Sequence, residues 1–137
     1  MNAKDIDKWG YKFEQLENAL DRLDEVLARD IEEDDIVLEA TIQRFEFTFE
    51  LTWKTMKKVL QFEEKIEVPS PRKVFQQAYL LKWIEDEQLW IDMLDARNIL
   101  SHVYEEKKVK EIYNQIGDFY IELRKLFVLL KKEYYDN

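Results

Sequence analysis

The only histidine of this 137-residue chain, His102, stands five residues after Arg97 and two before Tyr104, in the run Asp95-Ala96-Arg97-Asn98-Ile99-Leu100-Ser101-His102-Val103-Tyr104. Histidine moves protons near neutral pH, arginine stabilises charge developing on a phosphate, and an amide such as Asn98 can hold either in place. These are the parts needed for metal-independent RNA cleavage, in which a ribose 2′-hydroxyl attacks the adjacent phosphorus. A position near a helix C-terminus favours the histidine cation, because the carbonyl end of the helix dipole is negative, and that suits a general acid. On residue chemistry alone the plainer role, a structural hydrogen-bonder in a helical bundle, carries more weight.

Spacing makes the geometry of this run unusual. At 3.6 residues per turn, Arg97 and His102 would lie about 140° apart around an unbroken helix. Asn98 and His102 would share a face, while Arg97, Ser101 and Tyr104 would line the neighbouring side. Either the helix ends near Leu100 and swings His102 back, or the working site is composite and draws residues from two protomers.

The elements that must position these residues read as helices. Two glycines and two prolines in the whole chain leave little material for turns, and 46% hydrophobic with 14% aromatic content suffices for one sizeable core. A single domain over residues 1–137 is the expectation. Ile6, Trp9, Phe13, Leu16, Leu20, Leu23 and Leu27 step by three and four, which predicts a first helix over about 5–28. Residues 29–34 connect it to a second helix over about 36–62, capped by Asp34 or Asp35. Within that second helix Phe45, Phe47, Phe49, Leu51 and Trp53 alternate as a strand would, yet Leu38, Ile42, Phe45, Phe49, Trp53, Met56 and Leu60 hold helical spacing and no turn residue interrupts them. Phe47 and Leu51 then fall on the face opposite Phe45 and Phe49. Either a second subunit or a later segment of the same chain covers that second stripe.

Ser70-Pro71 is a helix start, a hydroxyl cap followed by proline at the first helical position, and opens a third helix over about 71–82. Its apolar positions are Val74, Phe75, Ala78, Tyr79 and Leu81. The acidic run Glu85-Asp86-Glu87 suits the start of a fourth helix over about 87–102, which carries the opening motif at its end. A last helix runs from Glu105 to about Tyr134, with Val109, Ile112, Ile116, Phe119, Leu123, Leu126 and Leu130 on one face and Tyr113, Tyr120, Phe127 and Tyr134 widening it. Gly117 within that helix costs about 1 kcal/mol relative to alanine and predicts a close helix contact. The expected architecture is all-α: an antiparallel, up-and-down bundle of five helices with a four-helix core, forming a homodimer.

Charge and composition exclude several roles. At net charge −9 the chain as a whole does not attract nucleic acid, so any RNA contact must be local, and no DNA binding is expected. Arg44, Lys54, Arg72 and Lys73 are candidates for a local basic patch, with Ser101 beside the motif, although most such charges are simply solvated. No apolar run approaches the roughly 20 residues that span a bilayer, so no membrane partner is expected. With no cysteine and no apolar signal core at the N-terminus, a cytoplasmic protein without disulfides or thiolate metal sites is the expectation. Glu46 and Glu50 have the four-residue spacing of metal ligands in di-iron bundles, but the Glu-x-x-His partners are missing and an ion-paired role is favoured; neither metal nor cofactor is expected. Trp9, Trp53, Trp83 and Trp90 could stack on bases, yet each sits on or beside an apolar stripe and reads as packing.

The run Arg97-Asn98-Ile99-Leu100-Ser101-His102-Val103-Tyr104 resembles the Arg-x4-His-x-Tyr signature of HEPN proteins of the HepT type. The segment from Gln43 to Lys54, QRFEFTFELTWK, with Ser70-Pro71-Arg72, resembles the nucleotidyltransferase substrate-binding protein family, and the likeness spans nearly the whole chain. The resemblance implies a homodimeric helical bundle paired with a minimal nucleotidyltransferase of the MntA type. It further implies a ribonuclease toxin in which Arg97 and His102 are catalytic and meet across a dimer cleft, supported by Asn98. Tyr104 would accept the adenylate by which the partner, acting as antitoxin, silences the enzyme. The older family name implies instead a non-catalytic subunit that binds substrate for the nucleotidyltransferase.

Overall fold

The computed structural model describes residues 3–32, 34–102 and 105–136, with side chains from Lys8 onward. Five α-helices follow in order: α1 (Ala3–Leu27), α2 (Asp35–Glu63), α3 (Pro71–Leu80), α4 (Glu87–Leu100) and α5 (Glu106–Leu130). A single π-helical turn, Lys131–Tyr135, extends α5. Among the described residues there is no strand, so the alternating aromatic stretch of residues 45–53 is helical, as its longer-range spacing predicts.

Helix α2 packs against every other α-helix of the bundle. That central position explains a helix with apolar residues on more than one side. Phe45, Phe49, Met56, Val59 and Leu60 are fully buried, and Leu51 from the second stripe is buried too, covered by its own chain. Phe47 from the same stripe stays 60% exposed. Four buried threonines, Thr41, Thr48, Thr52 and Thr55, also belong to α2. Thr41, Thr48 and Thr52 each donate to the carbonyl four residues earlier, at 2.6–2.7 Å, so the helix satisfies these polar groups locally. Thr48 also comes within 3.4 Å of the Ala19 carbonyl, a close approach of α1 to α2 that small side chains permit.

A chain of aromatic rings links α2 to the rest. Phe119 of α5 stacks on Phe45 with centroids 5.6 Å apart, Phe49 meets Phe75 of α3 at 6.0 Å, and Phe75 meets Trp90 of α4 at 5.3 Å. Each such pair adds about 0.5–1.5 kcal/mol beyond the area it buries. Trp90 lies two turns before Arg97, so the ring chain fixes the helix that carries the candidate site. Trp9, Trp83 and Trp90 are buried and Trp53 is half-buried, consistent with packing roles. At the far end, Trp83 Nε1 donates to Tyr134 Oη (3.2 Å), whose hydroxyl donates to Glu64 (3.0 Å). Burial, the largest influence, pushes the Tyr134 phenol up to about 12.

The starts of the helices follow the sequence signals closely. Asp34 caps α2 by accepting from the Ile36 amide, and Ser70 caps α3 ahead of Pro71. The stops do not. Helix α3 ends at Leu80, two residues earlier than its apolar spacing predicts, because Lys82 takes a left-handed conformation (φ 64°) that lets the Trp83 amide bond back to the Ala78 carbonyl. Tyr79, expected among the apolar positions of α3, is 48% exposed rather than part of the core. Lys65 (φ 59°) ends α2 in the same way, with the Ile66 amide on the Leu60 carbonyl.

Gly117 overturns one expectation. It lies on the exposed side of α5, and a β-carbon built there meets no atom within 4 Å, so no close helix contact requires glycine. Its cost to the helix is therefore uncompensated. Gly117→Ala is expected to raise the unfolding free energy by about 0.5–1 kcal/mol, measured by urea denaturation; a destabilised variant would show that something packs on this face.

Candidate functional site

The chemistry-bearing residues collect where the end of α4 meets the middle of α2. Arg97, in the last turn of α4, pairs through Nη2 with Oε1 of Glu50 on α2, and its Nη1 donates to Asn98 Oδ1 at 3.1 Å. The second Glu50 oxygen accepts from Trp53 Nε1 (3.1 Å) and lies 3.6 Å from Lys54 Nζ. Glu50 is thus fixed by two neighbours on its own helix and reaches across to orient the guanidinium. The Arg97 and Glu50 side chains are 33% and 24% exposed. At that exposure an ion pair contributes on the order of 0–1 kcal/mol to stability, so its main consequence is direction.

Glu46 sits one turn before Glu50 on the same side of α2. Its carboxyl titrates above the usual glutamate value: burial raises it most, Arg97 pulls it back down, and the Glu50 charge raises it again. With Glu46 and Glu50 both ionised, the two carboxylates balance Arg97 and Lys54 and leave the cluster without net positive charge.

Helix α4 stops at Leu100, inside the motif. The Ser101 amide returns to the Arg97 carbonyl at 3.2 Å, the His102 amide to the Ile99 carbonyl at 3.0 Å, and the Ser101 hydroxyl also bonds the Arg97 carbonyl at 3.1 Å. His102 therefore follows the helix rather than lying on its flank, and it is exposed. Among the described residues no hydrogen bond joins it to Arg97 within the protomer. Tyr104, expected to be the modified residue, lies outside the described residues.

The remaining candidates divide. Lys54 is drawn into the cluster through Glu50. Arg44 lies in a separate cleft between α1 and α2, where its Nη1 donates to the Arg22 carbonyl at 2.7 Å. Arg72 and Lys73 are exposed in the first turn of α3, where the Lys73 amide donates to the Ser70 cap at 3.4 Å. Glu50 and Trp53 are the residues that the motif did not reveal. Nothing local ties Glu50 to an arginine 47 positions later; the sequence signal was its four-residue spacing from Glu46, which gave no partner. Its ion-paired state matches the reading favoured over a metal ligand.

A family model described as "Nucleotidyltransferase substrate binding protein like" matches residues 11–132. The chain belongs to this family. A Haemophilus influenzae protein named probable ribonuclease HepT is 36% identical over 92 residues, which cover 64% of this chain; the chain spans 63% of that relative's length. Among solved structures, a Thermus thermophilus protein superposes with a TM-score of 0.78 at 29% identity, covering 85% of this chain and 98% of its own. A Haemophilus influenzae structure, described as revealing the fold of a substrate binding domain of a nucleotidyltransferase, gives 0.66 at 28%, covering 92% and 98%. The fold is also that of a tri-AMPylated Shewanella oneidensis HEPN toxin in complex with MNT antitoxin, with a TM-score of 0.73 at 16% identity over 97% of this chain and 100% of that one. The descriptions of the relatives above 25% identity thus include a probable ribonuclease and the substrate binding domain of a nucleotidyltransferase.

The raised Glu46 carboxyl has a pH consequence. Because the fold favours its neutral form, its contribution to stability is present below the unfolded glutamate value and is lost as pH rises through the folded one. Glu46→Gln is expected to be more stable than the parent at pH 7 and to lose that advantage by about pH 4, followed by urea unfolding across the range; a variant equally stable or weaker at pH 7 would contradict the balance of forces described.

Proposed function

We propose that this chain is a metal-independent ribonuclease of the HEPN type, the toxin of a toxin–antitoxin pair. The observation that carries this reading is the end of α4: Arg97, already oriented by Glu50 and Asn98, stands one short turn before an exposed His102 at the point where the helix stops. The probable ribonuclease among its relatives supports the same reading.

In the proposed reaction His102 handles the proton and Arg97 the charge. The 2′-oxygen forms a bond to phosphorus while the bond to the 5′-oxygen breaks; the 2′-hydroxyl proton passes to water and the His102 cation delivers one to the departing 5′-oxygen, leaving a 2′,3′-cyclic phosphate and a 5′-hydroxyl. Arg97 stabilises the non-bridging oxygens, where negative charge accumulates. To do so it exchanges Glu50 for the phosphate, with Lys54 left to compensate the released carboxylate. A homodimer would bring the His102 of one protomer towards the Arg97 of the other. The proposed partner is a minimal nucleotidyltransferase of the MntA type that silences the enzyme by adenylylating Tyr104. The described fold holds no helix long and apolar enough to cross a membrane, and a cytoplasmic site of action accords with an RNA substrate.

The family description, and that of the Haemophilus influenzae structure, favour a second reading: a non-catalytic subunit that binds substrate for the nucleotidyltransferase. The two separate cleanly. Purified protein incubated with RNA in EDTA is expected to cleave, with His102→Ala and Arg97→Ala each losing about 10²–10⁴-fold; equal cleavage by parent and variants, or none by protein whose mass shows an unmodified Tyr104, would reject the ribonuclease. An increase in partner nucleotidyltransferase activity on addition of an RNA-inert chain would establish the second reading instead.

A further inference from the structure

The cleft between α1 and α2 lies away from the Arg97 cluster, on the side of α2 that faces α1, and encloses about 570 Å³. That volume is within the range of small-ligand sites, roughly 300–1,000 Å³. Its charge is the reverse of the molecule's. Arg22 and Arg44 line it together with amides, including Gln15, Asn18 and Gln43, and no carboxylate does, in a protein of net charge −9. Neither arginine has a carboxylate within salt-bridge distance among the described residues, whereas Arg97 and Arg124 both do. Two guanidinium groups facing one cleft repel each other unless an anion lies between them. Arg44 is also held in place: with Nη1 committed to the Arg22 carbonyl at 2.7 Å, its remaining N–H groups are directed rather than free to swing.

At the rim stands Phe47, 60% exposed in a chain whose other phenylalanines are at least partly buried. A flat apolar ring, two guanidinium groups and a set of amides lining one cleft complement a ligand that is itself a flat ring joined to a phosphate. We propose that the α1–α2 cleft is a second site that binds a nucleotide unit, with phosphate between Arg22 and Arg44, the base stacked on Phe47, and the amides on the base edges. The unit can come from a free mononucleotide or from one residue of a single-stranded RNA, since the recognised chemistry is the same.

Calorimetric titration of the full chain carrying His102→Ala separates binding from turnover. The probes are AMP, ribose 5-phosphate, adenosine, inorganic phosphate and a short single-stranded RNA. AMP is expected to bind at least tenfold more tightly than ribose 5-phosphate, adenosine or inorganic phosphate. Arg22→Gln, which removes no hydrogen bond described for the fold, is expected to weaken AMP by at least tenfold. Phe47→Ala should weaken AMP but not inorganic phosphate. Saturation by AMP at lower concentration than the RNA marks a free nucleotide as the source; tighter RNA binding, with a salt dependence reduced by about two charges in Arg22→Gln/Arg44→Gln, marks a strand.

Absence of binding by both AMP and RNA would overturn the proposal, as would binding indifferent to Arg22 and Arg44. If Phe47→Ala instead converts a dimer to a monomer in sedimentation while AMP affinity is unchanged, the ring belongs to an interface between copies and the base-stacking assignment fails. RNA cleavage by the parent protein without AMP or RNA binding at this cleft would remove this site and leave the proposed function standing; nucleotide binding by a chain that never cleaves RNA would do the opposite.

Discussion

The burial of α2 on several sides is the constraint on which the rest of the structure depends. A helix surrounded by four others must be apolar over most of its circumference, yet a helix of bulky residues alone would hold its neighbours apart. The chain meets both demands by mixing Phe45, Phe49, Met56 and Leu60 with four buried threonines, three of which return their hydroxyls to their own backbone. The rings then reach α5 and α3, while Thr48 lets α1 come close. Glu46 and Glu50 lie on the part of α2 that this packing leaves half-open, which is where α4 ends.

That half-open position decides the character of the Arg97–Glu50 pair. Fully buried, the two charges would have to be worth their desolvation, and removing either would leave the other stranded. At about a quarter to a third exposure the pair is weak as a stabiliser, and water or an incoming anion can replace one member. Glu50 is nevertheless well defined, because Trp53 and Lys54 hold its other oxygen. The guanidinium is thus aimed without being locked. In a molecule of net charge −9, an arginine presented this way offers a phosphate a local foothold that the overall field does not.

Helix termination shapes the site as much as helix packing does. Glycine is the usual residue for a left-handed helix stop, and with two glycines in the chain, neither at such a position, lysines at 65 and 82 take that conformation instead, at a cost of roughly 1 kcal/mol each. The energy is recovered in the backbone bonds that they close and in the burial of Trp83 and Ile84 just beyond. At the end of α4 no left-handed residue is used among the described residues; a looser turn through Ser101 and His102 closes the helix.

The local grammar of the sequence determined the five helices, their capped starts at Asp34 and Ser70, and most of their buried faces, because apolar spacing and hydroxyl or carboxylate caps act over a few residues. It also marked Arg97, Asn98 and His102 as a unit, since their types and spacing are unusual in an otherwise structural chain. The tertiary structure alone decided that Leu51 is covered while Phe47 is not, that Gly117 faces solvent, and that α2 and α3 stop on lysines. It also placed Glu50 and Trp53 beside Arg97 and put Arg44 in a different cleft. These outcomes depend on which helix faces which, and on backbone bonds that reward an otherwise unfavourable conformation. A periodicity in one segment contains no information about a carboxylate on another, so the partner of Arg97 became visible only when α4 was laid against α2.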